Sequence, residues 1–189
     1  MSSDTIALRL LTGERAEMQE LQRVLEEAPT YSHRLTGGPP GRAEAQSLYT
    51  ALPEGKSYDD KFVFGIYLGE AMIGCVDLIR GYPNAATAML GLLLLSEKHR
   101  RRGVGRCAYG LIEDFVQGWS GCNRVRIAVV RSNQEVLPFW TKLGFEPTGE
   151  VKPYRCGTVA SEHVALEKRL PKAGTPDRQF ASERARKDG

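Results

Sequence analysis

Between Ala86 and Ser96 the chain passes through Leu92-Leu93-Leu94-Leu95, four apolar residues in a row with no polar position left to face water. A strand points successive side chains to opposite faces, so such a run must be covered on both sides and belongs at the centre of a sheet. It leads straight into a basic, glycine-bearing turn, Lys98-His99-Arg100-Arg101-Arg102-Gly103-Val104-Gly105-Arg106. From Gly103 to Trp119, the residues Val104, Ala108, Leu111, Ile112 and Phe115 then recur at the spacing of one helical face. A buried strand, a cationic turn and an amphipathic helix in unbroken succession set the frame in which the other segments are read.

Ile6 to Leu11 reads as a short strand, and Glu14 to Glu27 as a helix whose Met18, Leu21, Val24 and Leu25 share a face. Thr36-Gly37-Gly38-Pro39-Pro40-Gly41 cannot continue a helix and reads as a loop, before a second helix from Arg42 to Leu52 that Pro53 ends. Lys61 to Leu68 and Ala71 to Arg80 alternate apolar residues and meet across Gly69-Glu70, the pattern of a hairpin. Arg124 to Arg131 is a strand with Val125, Ile127 and Val129 on one face. A short helix from about Gln134 to Leu143 follows, with Pro138 expected to kink it near Trp140. Gly149 to Cys156 and Val159 to Leu170 form a closing hairpin. We expect one domain over residues 1–170 and a polar, disordered tail over residues 171–189.

Composition excludes several classes. The balance of 26 Lys and Arg against 23 Asp and Glu gives +3, well short of the basic excess that nucleic-acid binding leads one to expect. The longest apolar stretch is far below the roughly 18 residues of a membrane span, and Met1-Ser2-Ser3-Asp4 lacks the opening of a secretory signal. A cytoplasmic protein with no membrane partner is the expectation. Cys75, Cys107, Cys122 and Cys156 lie far apart, as do His33, His99 and His163, so neither a metal site nor a disulfide framework is expected.

The turn carries the chemistry. The first N–H groups of a helix have no intrahelical partner and sit at the positive end of the helix dipole, so anions bind there. Gly103 and Gly105 remove side-chain atoms that would hold a phosphate away, and Lys98 and the arginines add charge. The spacing is neither that of a P-loop nor that of a dinucleotide-binding fingerprint. A phosphate-bearing ligand on another fold is the reading that remains.

Arg100-Arg101-Arg102-Gly103-Val104-Gly105 fits the pattern Q/R-x-x-G-x-G/A after an apolar strand, and Asn133 followed by Phe139-Trp140-Thr141-Lys142-Leu143-Gly144-Phe145 fits a second pattern downstream. In this ordered pair the sequence, over about residues 6–170, resembles the GNAT superfamily of N-acetyltransferases. The resemblance implies an α/β (α+β mixed) GNAT fold. Its central twisted mixed sheet would have about seven strands flanked by about four helices and splay between the fourth and fifth strands. It implies acetyl-CoA as co-substrate, no metal, and a primary amine of a small molecule or peptide as acceptor. The N–H groups from Arg101 to Arg106, through Arg102, Gly103, Val104 and Gly105, would cradle the CoA pyrophosphate beside Arg100. Backbone groups of Leu93 and Leu95 would pair with the pantetheine arm, with the Leu93 N–H aimed at the thioester carbonyl. Asn133, Phe139 and Trp140 would lie beside the cofactor.

By that resemblance an amine attacks the thioester directly to give a tetrahedral oxyanion. An alkyl amine with pKa about 10.4 is neutral about once in two thousand at pH 7, a cost near 4.6 kcal/mol, so a base helps. Where many members carry Glu on the fourth strand this chain has Met89, and where many carry Tyr in the second motif it has Trp140. Asp77 on the neighbouring strand is the candidate base or amine-binding carboxylate. Tyr31 and His33, in the loop after the first helix, and Tyr154, Glu162 and His163, on the last hairpin, are candidates to flank the acceptor. A non-catalytic acyl-CoA sensor is the alternative that Met89 and Trp140 raise. A nucleic-acid module using Arg100 to Arg102, Arg106 and the tail cations Arg178, Arg184, Arg186 and Lys187 ranks below it, since no aromatic residues interleave with the basic ones. Oligomeric state is left open, a homodimer included.

Overall fold

The computed structural model describes residues 5–171, so all but the first residue of the expected tail lies outside the described residues. Strand β1 (Ile6–Leu10) is followed by helix α1 (Arg15–Glu26), which opens with a capping box in which the Glu17 carboxylate accepts the Glu14 N–H at 3.3 Å; the same carboxylate also accepts the Thr12 and Gly13 N–H groups at 2.8 and 3.0 Å. Leu21, Val24 and Leu25 turn inward from it. A helix the sequence reading missed, α2 (Pro29–Thr36), comes next, ended by left-handed Gly37. Helix α3 (Glu44–Thr50) precedes the expected hairpin of β2 (Lys61–Leu68) and β3 (Ala71–Arg80). Then come β4 (Thr87–Leu95), α4 (Val104–Gln117), β5 (Arg124–Val130), α5 (Leu137–Lys142), β6 (Glu146–Cys156) and β7 (Val159–Arg169).

The seven strands form one mixed sheet in the order β1-β2-β3-β4-β5-β7-β6, with five α-helices against it and every neighbour antiparallel except β4 and β5. One core layer sits between the sheet and α4 and includes Val76, Leu78, Leu90, Ala108, Ile112 and Ile127; the other joins α1 and α3 to Val63, Met72, Cys75, Leu92 and Leu94. A bulge explains how β4 serves both. Asp77 pairs with Leu92 and Leu78 with Leu90, so Gly91 has no partner and the facing of the strand reverses across it.

Two expectations are corrected. Tyr31 and His33 stand on α2 rather than in a loop, because Pro29 occupies a first-turn position whose N–H would be unpaired anyway and so starts the helix. Pro138 likewise lies in the first turn of α5 and does not kink it; the break falls upstream at Asn133, whose φ of −116° is non-helical. In addition, β6 starts at Glu146, earlier than expected, because left-handed Gly149 sits in a register shift within the strand instead of opening it.

Candidate active site

Strands β4 and β5 pair only from Thr87 with Arg124 to Met89 with Arg126. Beyond that rung they part, and Leu90 to Leu95 face Ile127 to Val130 across a cleft of about 550 Å³. In an antiparallel strand the N–H and C=O of one residue share a side and the sides alternate. The Ser96 N–H donates to Ile73 O at 2.9 Å, on the β3 side. Leu94 therefore faces β3 as well, and Leu93 and Leu95 aim their backbone groups into the gap. The Leu95 carbonyl accepts the Arg100 Nε–H at 3.1 Å, which folds that arginine back along the cleft wall.

At the end of the cleft the chain turns through two left-handed residues, Arg101 at φ 61° and Gly103 at φ 80°. Alternating conformations of this kind gather N–H groups into a concave anion-binding nest. The first helical bonds of α4 run from the Arg106 and Cys107 N–H groups to Gly103 O, both at 3.1 Å, so the N–H groups of Gly103, Val104 and Gly105 come before the ladder begins. The two glycines have different causes. A Cβ on Gly103 would meet open space but at a forbidden φ, whereas a Cβ on Gly105 would press within 3.4 Å of the Phe139 ring. Arg100, Arg101, Gly103, Gly105 and Arg106 line the cleft. Val104 is buried and Arg102 is exposed outside the lining. Behind the turn, Ser96 is fully buried with its hydroxyl 2.7 Å from His99 Nδ1, and burial together with Lys98 and Arg102 lowers the His99 pKa.

Asn133, Phe139 and Trp140 line the far wall. Trp140 is buried edge-on among Tyr109, Phe139 and Phe145, so an indole and no hydroxyl fills this position. Met89 stands on the last paired rung. Tyr31 lines the cleft and packs on the Leu92 and Leu94 layer, where burial raises its phenol pKa and keeps it protonated. Asp77 lies at the bulge: Oδ1 accepts from Lys61 Nζ at 2.7 Å, Oδ2 is 3.1 Å from where a Gly91 Cβ would stand, and burial pushes the carboxyl up against the pull of Lys61.

Four of the expected acceptor residues, His33, Tyr154, Glu162 and His163, are not brought into the cleft lining, and neither is Asp77, which sits against the lining residue Gly91. His33 is exposed, with Nδ1 2.9 Å from Pro29 O; His163 pairs on β7 with Val130 and Lys152; Glu162 is exposed against Arg131. Tyr154 acts from behind, donating to Leu35 O at 3.2 Å, with its phenol pushed up to about 12 chiefly by burial. The sequence reading missed Gly91, Arg34, Leu35 and Glu135, which do line the cleft. The signal for α2 was there: Tyr31, Arg34 and Leu35 fall on one helical face once Pro29 is read as a start. Among the described residues no group of three or more His, Cys, Asp or Glu could hold a metal ion, and no helix is long and apolar enough to cross a membrane.

The residues fit an acyl-CoA: free backbone groups on one lip, open space above a left-handed glycine, and arginines at the helix end. Comparison with known proteins agrees. The model of the Acetyltransferase (GNAT) family matches residues 21–145. An acetyltransferase from Thermus thermophilus is similar at 26% identity and TM-score 0.67, covering 87% of this chain and 97% of that one. Spermidine N-acetyltransferase from Vibrio cholerae, solved with CoA and spermine, is similar at 15% identity and TM-score 0.68, covering 89% and 97%. The ribosomal-protein-S18-alanine N-acetyltransferase from Escherichia coli is similar at 14% identity and TM-score 0.64, covering 90% and 97%; these last two speak for the fold alone. No curated protein matches the chain.

Proposed function

The chain belongs to the acetyltransferase (GNAT) family, and from that premise we propose that it transfers the acetyl group of acetyl-CoA to a primary amine of a small molecule or peptide. One observation carries the reading: the backbone groups of Leu93 and the N–H of Leu95 turn away from β3 into a cleft that ends at the glycine-bearing start of α4. In this assignment the pantetheine arm lies along β4 as a further strand, held by Leu93 and the Leu95 N–H with Asn133 opposite. The pyrophosphate rests on Gly103, Val104 and Gly105, with Arg100, Arg101, Arg102 and Arg106 supplying charge. Phe139 and Trp140 exclude water beside it.

The Leu93 N–H donates to the thioester carbonyl and holds the charge that develops there, a contribution of about 2.7 to 4 kcal/mol for one well-placed donor. The amine must still shed a proton at a cost near 4.6 kcal/mol. Asp77 is the carboxylate at the bulge, against Gly91 of the cleft lining, with burial raising its pKa and Lys61 opposing that, and we assign it the role of amine binding and proton acceptance. The neighbours named for spermidine and for a ribosomal-protein alanine bracket the acceptor classes worth screening. The test is thiol release from acetyl-CoA across polyamines, amino acids and peptides. Amine-dependent release is the expected result. Tight acetyl-CoA binding with no release on any amine would favour the second reading, an acyl-CoA sensor, which Met89 and the packed Trp140 favour by lacking a titratable group.

A further inference from the structure

Helix α2 lies across the parted strands and is tied to both lips. On the β4 side, the Thr30 N–H donates to Glu97 Oε1 at 3.0 Å. On the β5 side, Arg34 donates from Nη2 to Glu135 Oε2 at 2.6 Å and from Nη1 to Asn133 Oδ1 at 3.2 Å. Its C-terminal end is held by Tyr154 on Leu35 O and by the Thr158 N–H on Thr36 O at 2.9 Å. The Arg34 side chain is only 29% exposed.

Guanidinium groups donate and never accept. The Asn133 atom that faces Arg34 must therefore be the oxygen, and its NH₂ group is left as a donor toward the cleft that Asn133 lines. Glu135 holds the other arm of Arg34 and offsets its charge.

We infer that Arg34 is a positioning residue for the CoA arm: it fixes the Asn133 amide with its NH₂ toward the pantetheine and thereby couples α2 to cofactor binding. The inference rests on the acetyl-CoA assignment above. A free asparagine samples both amide orientations, only one of which offers donors to the pantetheine carbonyls. Holding the productive one also holds α2, and with it Tyr31, over the thioester end of the cleft.

The test is calorimetric titration with two probes: CoA, and its nucleotide half, which keeps the pyrophosphate and lacks the pantetheine arm. Arg34→Met should weaken CoA about three- to ten-fold, the effect of losing one ordinary hydrogen bond, and leave the nucleotide half unchanged. Arg34→Lys should restore part of the loss. Asn133→Asp keeps the contact to Arg34 but removes the donor, so it should weaken CoA with α2 still in place. In the Asn133→Ala background Arg34→Met should cost nothing more. Equal weakening of both probes would make Arg34 a phosphate ligand, and no weakening of CoA would make its contact to Asn133 incidental; either result overturns the inference. If the unaltered protein binds neither probe, the acetyl-CoA assignment itself falls, a failure distinct from the other two.

Discussion

Gly103 separates backbone strain from ligand chemistry, because its φ of 80° favours glycine while the space above it is open. Gly103→Ala places an L residue in the left-handed region at roughly 1 to 2 kcal/mol, which lowers the melting temperature of a chain this size by about 2 to 8 °C. Asn and Asp tolerate that conformation, so Gly103→Asn and Gly103→Asp should fold with little loss. The two side chains are nearly isosteric and differ by one charge. If a phosphate rests on this turn, each of its charges at about 6 Å and an effective dielectric near 20 repels the Asp carboxylate by roughly 3 kcal/mol, about a hundred-fold in affinity. Asn should also weaken binding by displacing the anion from one charge-assisted hydrogen bond, about 1.5 to 3 kcal/mol. Titration of acetyl-CoA into the three proteins should rank them Gly, Asn, Asp, and the gap between Asn and Asp should narrow as salt rises. Equal affinity of the Asn and Asp variants would refute the argument, since no anion could then lie beside residue 103.

Leu93→Pro removes an N–H that points into the cleft and not into the sheet, so the ladder to β3 survives. It should lower kcat by about a hundred- to a thousand-fold with the acetyl-CoA dissociation constant little changed. Asp77→Ala leaves Lys61, whose side chain is only 3% exposed, without its partner and should cost about 3 to 5 kcal/mol by thermal melting. The double variant Lys61→Met, Asp77→Leu should recover most of that. Trp140→Tyr tests whether only a proton donor is missing: a rise in kcat is expected, and an unchanged kcat would leave the indole as packing alone. Glu150, held at about 2 by Lys152 and Arg126, has a folded pKa below its ordinary 4.5. Its contribution is complete above about 4.5 and lost as pH falls toward 2, so Glu150→Gln should flatten that part of the stability curve.

The core of this fold was legible because its causes are local. Four leucines in a row demand a two-faced strand, and a left-handed turn before a helix favours glycine at residue 103. The second motif located Asn133, Phe139 and Trp140 on the same cleft wall. What stayed hidden depends on tertiary geometry. The bulge at Gly91 exists because β3 and β4 slip past one another at Asp77, which no periodicity reports. Helix α2 has a start signal in Pro29 but only a short apolar face, none of its residues is fully buried, and it is held by Glu97, Asn133, Glu135 and Tyr154, partners distant in the chain. His33 and His163 looked suited to an acceptor site by residue type, but the first points outward from α2 and the second pairs across β7.

The most direct test of the account is thermal melting of the unaltered protein with acetyl-CoA. A ligand at a hundred times its dissociation constant adds about 2.7 kcal/mol, which for a chain of this size is a rise of roughly 5 to 11 °C. The account predicts that rise, and predicts that Gly103→Asp abolishes it. A melting temperature unmoved by millimolar acetyl-CoA would contradict the assignment of the β4–β5 cleft.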